Sequence, residues 1–261
     1  MIGMSLLEKV ALVTGARRGI GRAIALTFAE AGASVAVCDA VLDDGKLQTV
    51  AKSIASSGRR STAVQVDIAD KGQVERMAAR AVEAFGRIDI LVNCAGVWLP
   101  GQTLIECDEE SWDKVIDTNL KGTFLCCRTV GKIMADQKSG NIINLSSQVG
   151  LNPGIAIGAY SVSKAGIIML TRQLALELSR HHIRVNAIAP GVVMTDFNKS
   201  LWTNPESAVE ISQAVPLGRM ATPEDVALPA LFLASDASAY ITGAVINVDG
   251  GWQVPGKPRI E

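Results

Sequence analysis

Val10-Ala11-Leu12-Val13-Thr14-Gly15-Ala16-Arg17-Arg18-Gly19-Ile20-Gly21 runs from an apolar stretch into a glycine turn, and Arg22-Ala23-Ile24-Ala25 continues it in a helical pattern. Glycines let a backbone turn sharply and approach a pyrophosphate closely. The helix N-terminus that follows offers free N–H groups and a positive dipole end. A glycine cluster alone marks many turns, but one between a first strand and a first helix has the context a dinucleotide site requires. Gly15, Arg17, Arg18, Gly19, Ile20 and Gly21 are therefore candidate cofactor contacts.

The alternation begun here repeats along the chain. Runs at 10–14, 34–39, 61–66, 89–93, 140–146, 183–189 and 244–248 read as strands, and stretches near 19–31, 44–57, 70–84, 108–136, 158–181 and 222–235 read as helices. Ile90-Leu91-Val92 and Ile142-Ile143 are apolar throughout, as strands buried on both faces are. Strand and helix in alternation imply right-handed crossovers, hence an α/β fold with a Rossmann-like, doubly wound parallel sheet and helices on both faces. No repeat or linker divides the 261 residues, so a single domain, 1–261, is expected. The stretch 194–221, with Trp202, Asn204-Pro205 and Pro216, lacks strand character and reads as a substrate lid.

Composition narrows the function. A net charge of -1 gives no drive toward nucleic acid or an anionic membrane. No stretch approaches the roughly 18 apolar residues of a membrane span, and the few residues before Val10 are too short for a secretory signal, so a cytoplasmic location is expected. Five cysteines (Cys38, Cys94, Cys107, Cys126, Cys127) without CxxC spacing read as reduced thiols. The only histidines, His181 and His182, are adjacent, which disfavours a shared metal ion or a Ser-His-Asp set; no metal is expected.

Asp39 closes the second strand eighteen residues after Gly21, where a carboxylate can accept hydrogen bonds from the adenosine ribose. It also repels a 2'-phosphate, at a cost on the order of 4 kcal/mol for two unit charges about 4 Å apart at an effective dielectric of about 20. Arg17 and Arg18 lie nearby and could pair with that phosphate, yet Ala40 puts no cation at the strand tip, so NAD is expected over NADP. Asp67 and Ile68 follow the third strand; Asp67 can bond the adenine amine or cap the helix near Asp70. After the fourth strand, Ala95 and Gly96 leave room for a cofactor, while Asn93 either contacts it or braces the sheet.

The proton chemistry is sought at the other end. Tyr160 and Lys164 share one helical face. A phenol of pKa near 10 is a poor base at neutral pH, but a neighbouring ammonium favours phenolate, and an oxidised nicotinamide adds a second positive charge. That suits acid–base work on an alcohol or ketone. Ser147 ends the fifth strand thirteen residues earlier and can hold the substrate oxygen, whereas Ser146 reads as a strand-end turn residue. Asn119 interrupts an apolar helical pattern, either as a proton-relay residue reached through water from Lys164 or as a core amide at a kink.

Together, Thr14–Gly21, Asn93–Gly96, Asn119, Ser147, Tyr160-xxx-Lys164 and Pro190-Gly191 resemble the short-chain dehydrogenase/reductase family, in matching order from Val10 to Gly251. The resemblance implies a seven-stranded sheet, a homotetramer, and a catalytic tetrad of Asn119, Ser147, Tyr160 and Lys164, with Tyr160 and Lys164 also among the cofactor contacts, the lysine on the nicotinamide ribose. It also implies that Pro190, Gly191, Val193 and Thr195 line the nicotinamide amide. Cys94, where a second asparagine is usual, and His182, where a helix-ending glycine is common, depart from the pattern, and neither is expected to touch the tetrad.

The expected activity is reversible hydride transfer between a secondary alcohol and its ketone. Substrate contacts are expected from Trp98, Ser147, Gln148, Val149, Gly150, Asn152 and Trp202, and Gln148 and Asn152 lean toward a polyol, sugar or hydroxy acid. An NADPH-dependent 3-oxoacyl-thioester reductase is the alternative within enzymes. A non-catalytic dinucleotide-sensing or scaffold protein is the alternative outside them, and the intact tetrad argues against it.

Overall fold

Seven β-branched runs pair in parallel as β1 (Val10–Thr14), β2 (Ser34–Asp39), β3 (Ser61–Gln65), β4 (Ile90–Asn93), β5 (Gly140–Leu145), β6 (Ile183–Pro190) and β7 (Val245–Val248). The structure is a computed structural model that describes residues 4–99, 101 and 103–255. The sheet order is β3-β2-β1-β4-β5-β6-β7. Chain direction across the sheet therefore reverses between β1 and β4, and a crevice opens above their carboxyl ends. Both strands are buried along their whole length, registered with Ala11 opposite Ile90 and Val13 opposite Val92.

Helices cover both faces. On one, α1 (Gly19–Glu30), α2 (Lys46–Ser56) and α9 (Pro223–Ala234) bury Ile24, Phe28, Leu47 and Val226 against Val13, Val35 and Ile143. On the other, α3 (Lys71–Phe85), α5 (Gly122–Gln137) and α6 (Gly158–Leu178) bury Met77, Val130, Met134 and Ala175 against Leu12, Leu91 and Ile142. The side of the sheet that each strand residue faces follows from its two-residue period.

Three departures from the expected elements matter for the site. The single helix expected at 108–136 is α4 (Glu109–Ile116), a π-helical turn at Asp117–Lys121, then α5. Such a wide turn inside a helix is often functional, and it centres on Asn119. The lid contains two short helices that the sequence reading missed, α7 (Lys199–Thr203) and α8 (Pro205–Ala214), the latter capped by Asn204 with Pro205 in its first turn. A parallel bridge between Val193 and Ala221 pins the two ends of this lid together. Finally, α6 runs on through a 3₁₀ turn at Ser179–His181, and His182 takes the left-handed cap at φ 57° itself. Its departure from glycine leaves the cap geometry intact.

Candidate active site

The crevice encloses about 880 Å³ and runs from the glycine turn, past the tips of β1, β4 and β5, to the lid. Its first wall admits only bare backbone. A Cβ on Gly21 would fall 2.3 Å from the Gly15 carbonyl oxygen, and one on Gly15 would fall 2.8 Å from the Ala95 backbone. Arg18 precedes α1 without capping it by side chain, and the first turn of that helix, Gly19 to Gly21, lines the crevice, with the Gly21 N–H directed at the Cys94 thiol. A glycine cradle at an uncapped helix N-terminus fits a dinucleotide pyrophosphate. Thr14 stiffens the cradle: its hydroxyl accepts from the Cys94 and Ala95 N–H groups at 3.1 and 3.2 Å.

At the adenosine end, Asp39 lines the crevice and its Oδ1 accepts from Arg17 Nε at 3.2 Å and from the Val41 N–H at 3.0 Å. Arg17 also donates to Asp44 at 2.6 Å. This guanidinium is therefore engaged by two carboxylates. Arg18 reaches Asp196 at 3.7 Å, and the Thr195 methyl would lie 3.2 Å from a Cβ on Gly19, so the start of the 194–221 stretch packs over the glycine turn. Asp67 and Ile68 line the crevice as expected; the helix cap near them is Asp70, which accepts from the Gln73 N–H, while Asp67 bonds the Ala69 N–H.

The chemical centre lies where β5 meets α6. Ser147, Tyr160 and Lys164 line the same stretch of crevice. Lys164 is 4% exposed; its Nζ donates to the Leu145 carbonyl at 2.8 Å and stands 5.4 Å from the Tyr160 ring centroid. Burial pulls its ammonium down to about 8, with the Cys94 thiol working the other way. Burial likewise pushes the Tyr160 phenol well above its ordinary value, an effect that the Ser147 hydroxyl offsets in part. Lys164 was expected to favour the phenolate; burial acts on the Tyr160 phenol in the opposite sense and is the larger effect.

Ser147 also accepts from the Val149 N–H at 3.4 Å, and Ser146, expected as the turn residue, instead donates to the Lys164 carbonyl at 2.8 Å and ties the strand tip to α6. Cys94 lines the crevice, and its field reaches both Tyr160 and Lys164, so this departure does adjoin the tetrad positions. Burial pushes its own thiol up to about 12, with Lys164 opposing.

A family profile described as enoyl-(acyl carrier protein) reductase matches residues 15–253. The 3-oxoacyl-[acyl-carrier-protein] reductase of Synechocystis sp. is 44% identical over 250 residues, 95% of this chain and 98% of that protein. A solved short-chain type dehydrogenase/reductase from Mycobacterium marinum is 37% identical with a TM-score of 0.91, covering 97% of this chain and 98% of that one. A second solved chain, from Beutenbergia cavernae, is provisionally called an NAD(P)-dependent gluconate 5-dehydrogenase and carries NADP at low occupancy. It is 39% identical with a TM-score of 0.90, over 95% of this chain and 98% of that one. The chain belongs to the short-chain dehydrogenase/reductase family. It is an oxidoreductase of that family, whose members bind NAD(P).

Four residues expected at the family's site turn away from the crevice lining. Asn93 is buried beneath it and donates to Asn144 at 2.8 Å and to the Cys127 sulfur at 3.2 Å, so it braces the sheet. Asn119 is wholly buried in the π-helical turn; its amide accepts from the Val97 N–H at 2.8 Å and donates to the Val97 carbonyl at 2.9 Å. A Cβ on Gly96 would sit 3.1 Å from Asn119 Oδ1 and 3.7 Å from Lys164 Nζ, so Asn119 and Lys164 remain close neighbours. Gly150 packs on α6, where a Cβ would meet the Lys164 carbonyl carbon at 2.7 Å. Trp202 donates its indole N–H to the Thr195 carbonyl at 2.9 Å and fastens the lid from behind.

The remaining expected residues line the crevice: Ala95, Gly96, Pro190, Gly191, Val193 and Thr195 along the cofactor path, with Trp98, Gln148, Val149 and Asn152 beyond. Phe197 and Leu201, expected only as part of the lid and not singled out, line it too, as does Trp252, which sequence reasoning missed. Phe197 stacks on Trp98 at 6.1 Å between ring centroids and tilts on Tyr160 at 6.2 Å. Phe197 lies in a 3₁₀ turn at Asp196–Asn198 and Leu201 in α7, so no single helical period in the sequence marks the pair.

Proposed function

We propose that this oxidoreductase reduces the ketone of a 3-oxoacyl thioester to the secondary alcohol. The observation that carries the reading is the convergence of Ser147, Tyr160 and the buried Lys164 on one stretch of the crevice, with Lys164 Nζ 5.4 Å from the Tyr160 ring centroid. The bound dinucleotide supplies a hydride to the ketone carbon and, once oxidised, a positive charge in the crevice. Ser147 orients the ketone oxygen, and Tyr160 gives its hydroxyl proton to that oxygen as the C–H bond forms. Lys164 stabilises the phenolate left behind and holds the nicotinamide ribose. Asn119 acts on this centre by fixing Val97 and Gly96 beside Lys164. Reduction uses Tyr160 in its protonated form, as general acid.

The thioester substrate is supported by the name of the 44% identical relative and by the apolar wall of Val149, Ile155, Phe197 and Leu201. The expectation of a polyol, sugar or hydroxy acid is the second reading. It is favoured by Gln148, whose Oε1 is buried in the crevice lining without a partner among the described residues and suits a substrate hydroxyl. For the cofactor we propose NAD(H): Asp39 faces the ribose position, and Arg17, the cation nearest to it, is held by Asp39 and Asp44. We also propose a homotetramer, supported by Phe124 on α5 and Val162, Met169 and Leu176 on α6, all exposed on the outer face of the helices.

Steady-state turnover of acetoacetyl-CoA and of a polyol and hydroxy-acid panel, each with both dinucleotides, tests these readings. The proposal expects acetoacetyl-CoA with NADH to give the highest kcat/KM. A polyol preferred over every thioester overturns the substrate assignment, and a preference for NADPH overturns the Asp39 argument.

A further inference from the structure

Trp98 follows Val97, whose N–H and carbonyl are both held by the Asn119 amide, and its ring stacks on Phe197. The indole is thus fixed from two sides. Its Nε1 is nonetheless buried with no hydrogen-bond partner among the described residues, and Trp98 lines the crevice. Trp202, by contrast, gives its N–H to the Thr195 carbonyl. A buried indole N–H normally finds an acceptor, and an orphaned one calls for an explanation. An indole nitrogen donates and never accepts, so the missing partner is an acceptor oxygen. Phe197 touches both the Trp98 and the Tyr160 rings, so the indole and the phenol flank the same part of the crevice. The reacting oxygen there is already served by Tyr160 and Ser147.

We propose that Trp98 Nε1 donates to a second carbonyl oxygen of the substrate, the unreactive one lying β to the ketone, and so selects 1,3-dicarbonyl compounds over simple ketones. This rests on the thioester reading above and deepens it by assigning the thioester oxygen a residue. A site built to hydrogen-bond a group rejects analogues lacking it far more strongly than an apolar wall can.

The test uses Trp98→Phe, which keeps an aromatic ring against Phe197 and removes the N–H. Turnover is compared on ethyl acetoacetate and acetoacetyl-CoA, on ethyl levulinate with the ester one carbon further away, and on 2-hexanone without it. The expected result is a fall in kcat/KM of about tenfold to a hundredfold on the two 3-oxo compounds, with 2-hexanone changed less than about threefold and dinucleotide affinity by fluorescence titration unchanged. An equal loss on all four substrates, or no loss on any, overturns the assignment. So does a wild-type enzyme that reduces none of them. If wild type reduces ethyl acetoacetate but no thioester, the functional reading fails while the role of Trp98 stands.

A measurement on wild type covers the case of a poorly folding variant. With oxidised dinucleotide present, one of the four tryptophan indole ¹⁵N–¹H resonances should move downfield on addition of ethyl acetoacetate and stay in place with 2-hexanone. No such difference refutes the contact.

Discussion

Replacing Lys164 by methionine should stabilise the protein while abolishing its chemistry, and the gain should depend on pH in a way fixed by burial. Burial lowers the Lys164 pKa from an ordinary 10.5 to about 8. Below about pH 8 both folded and unfolded chains carry the proton, so the full penalty applies. It corresponds to about 3 kcal/mol at about 1.4 kcal/mol per pKa unit. As pH rises from about 8 toward 10.5 the folded state loses its proton first, the unfolded state binds more protons, and the penalty fades. Near pH 10 about 1 kcal/mol remains.

The variant also loses the bond from Nζ to the Leu145 carbonyl at 2.8 Å, which offsets the gain by about 1–2 kcal/mol. That loss is shared by both pH values, because a neutral amine still donates. The stability difference between variant and wild type should therefore shrink by about 2 kcal/mol between about pH 7 and pH 10. Urea unfolding at fixed protein concentration, at both pH values, measures it. A difference independent of pH, or one that grows with pH, refutes the claim that Lys164 is held charged in a desolvated site.

Gly21→Ala places a Cβ 2.3 Å from the Gly15 carbonyl oxygen and must open the glycine turn. Isothermal titration should find dinucleotide binding lost or weakened at least about a hundredfold, with the fold retained by circular dichroism. His182→Gly relieves a non-glycine residue at φ 57° far from the crevice. It should raise stability by about 1 kcal/mol and Tm by about 2–4 °C, with turnover unchanged.

Much of this molecule is legible in its chain because the parallel sheet leaves a strong signature. Strands buried on both faces read as apolar runs, such as Ile90-Leu91-Val92, and a side chain at Gly15 or Gly21 would collide with backbone. Tyr160, Lys164, Ser147 and Asp39 all reach the crevice for the same reason: strand tips and helix starts point there. What stayed hidden depends on distant neighbours. Asn119 was visible as a poor helix former, but the π-helical turn around it and its grip on Val97 require the β4 loop to be in place. Trp202 was expected at the substrate, whereas a turn of 100° per residue on α7 gives the crevice to Leu201, with Phe197 entering from the 3₁₀ turn before it. Gly150 read as a binding-loop glycine, yet its lack of a side chain serves contact with the α6 backbone. The direction of the Tyr160 shift was also unreadable, because a charge four residues away shows in sequence and desolvation does not.

The central claim is that Tyr160 delivers the proton from a crevice that binds the dinucleotide without it. Tyr160→Phe, assayed with NADH and the best ketone substrate beside a direct titration of NADH binding, tests this most plainly. The account predicts dinucleotide affinity within about twofold of wild type and kcat reduced by about 10²–10⁴-fold, the range of a lost general acid. Turnover near the wild-type rate would contradict it, as would loss of turnover explained by loss of NADH binding.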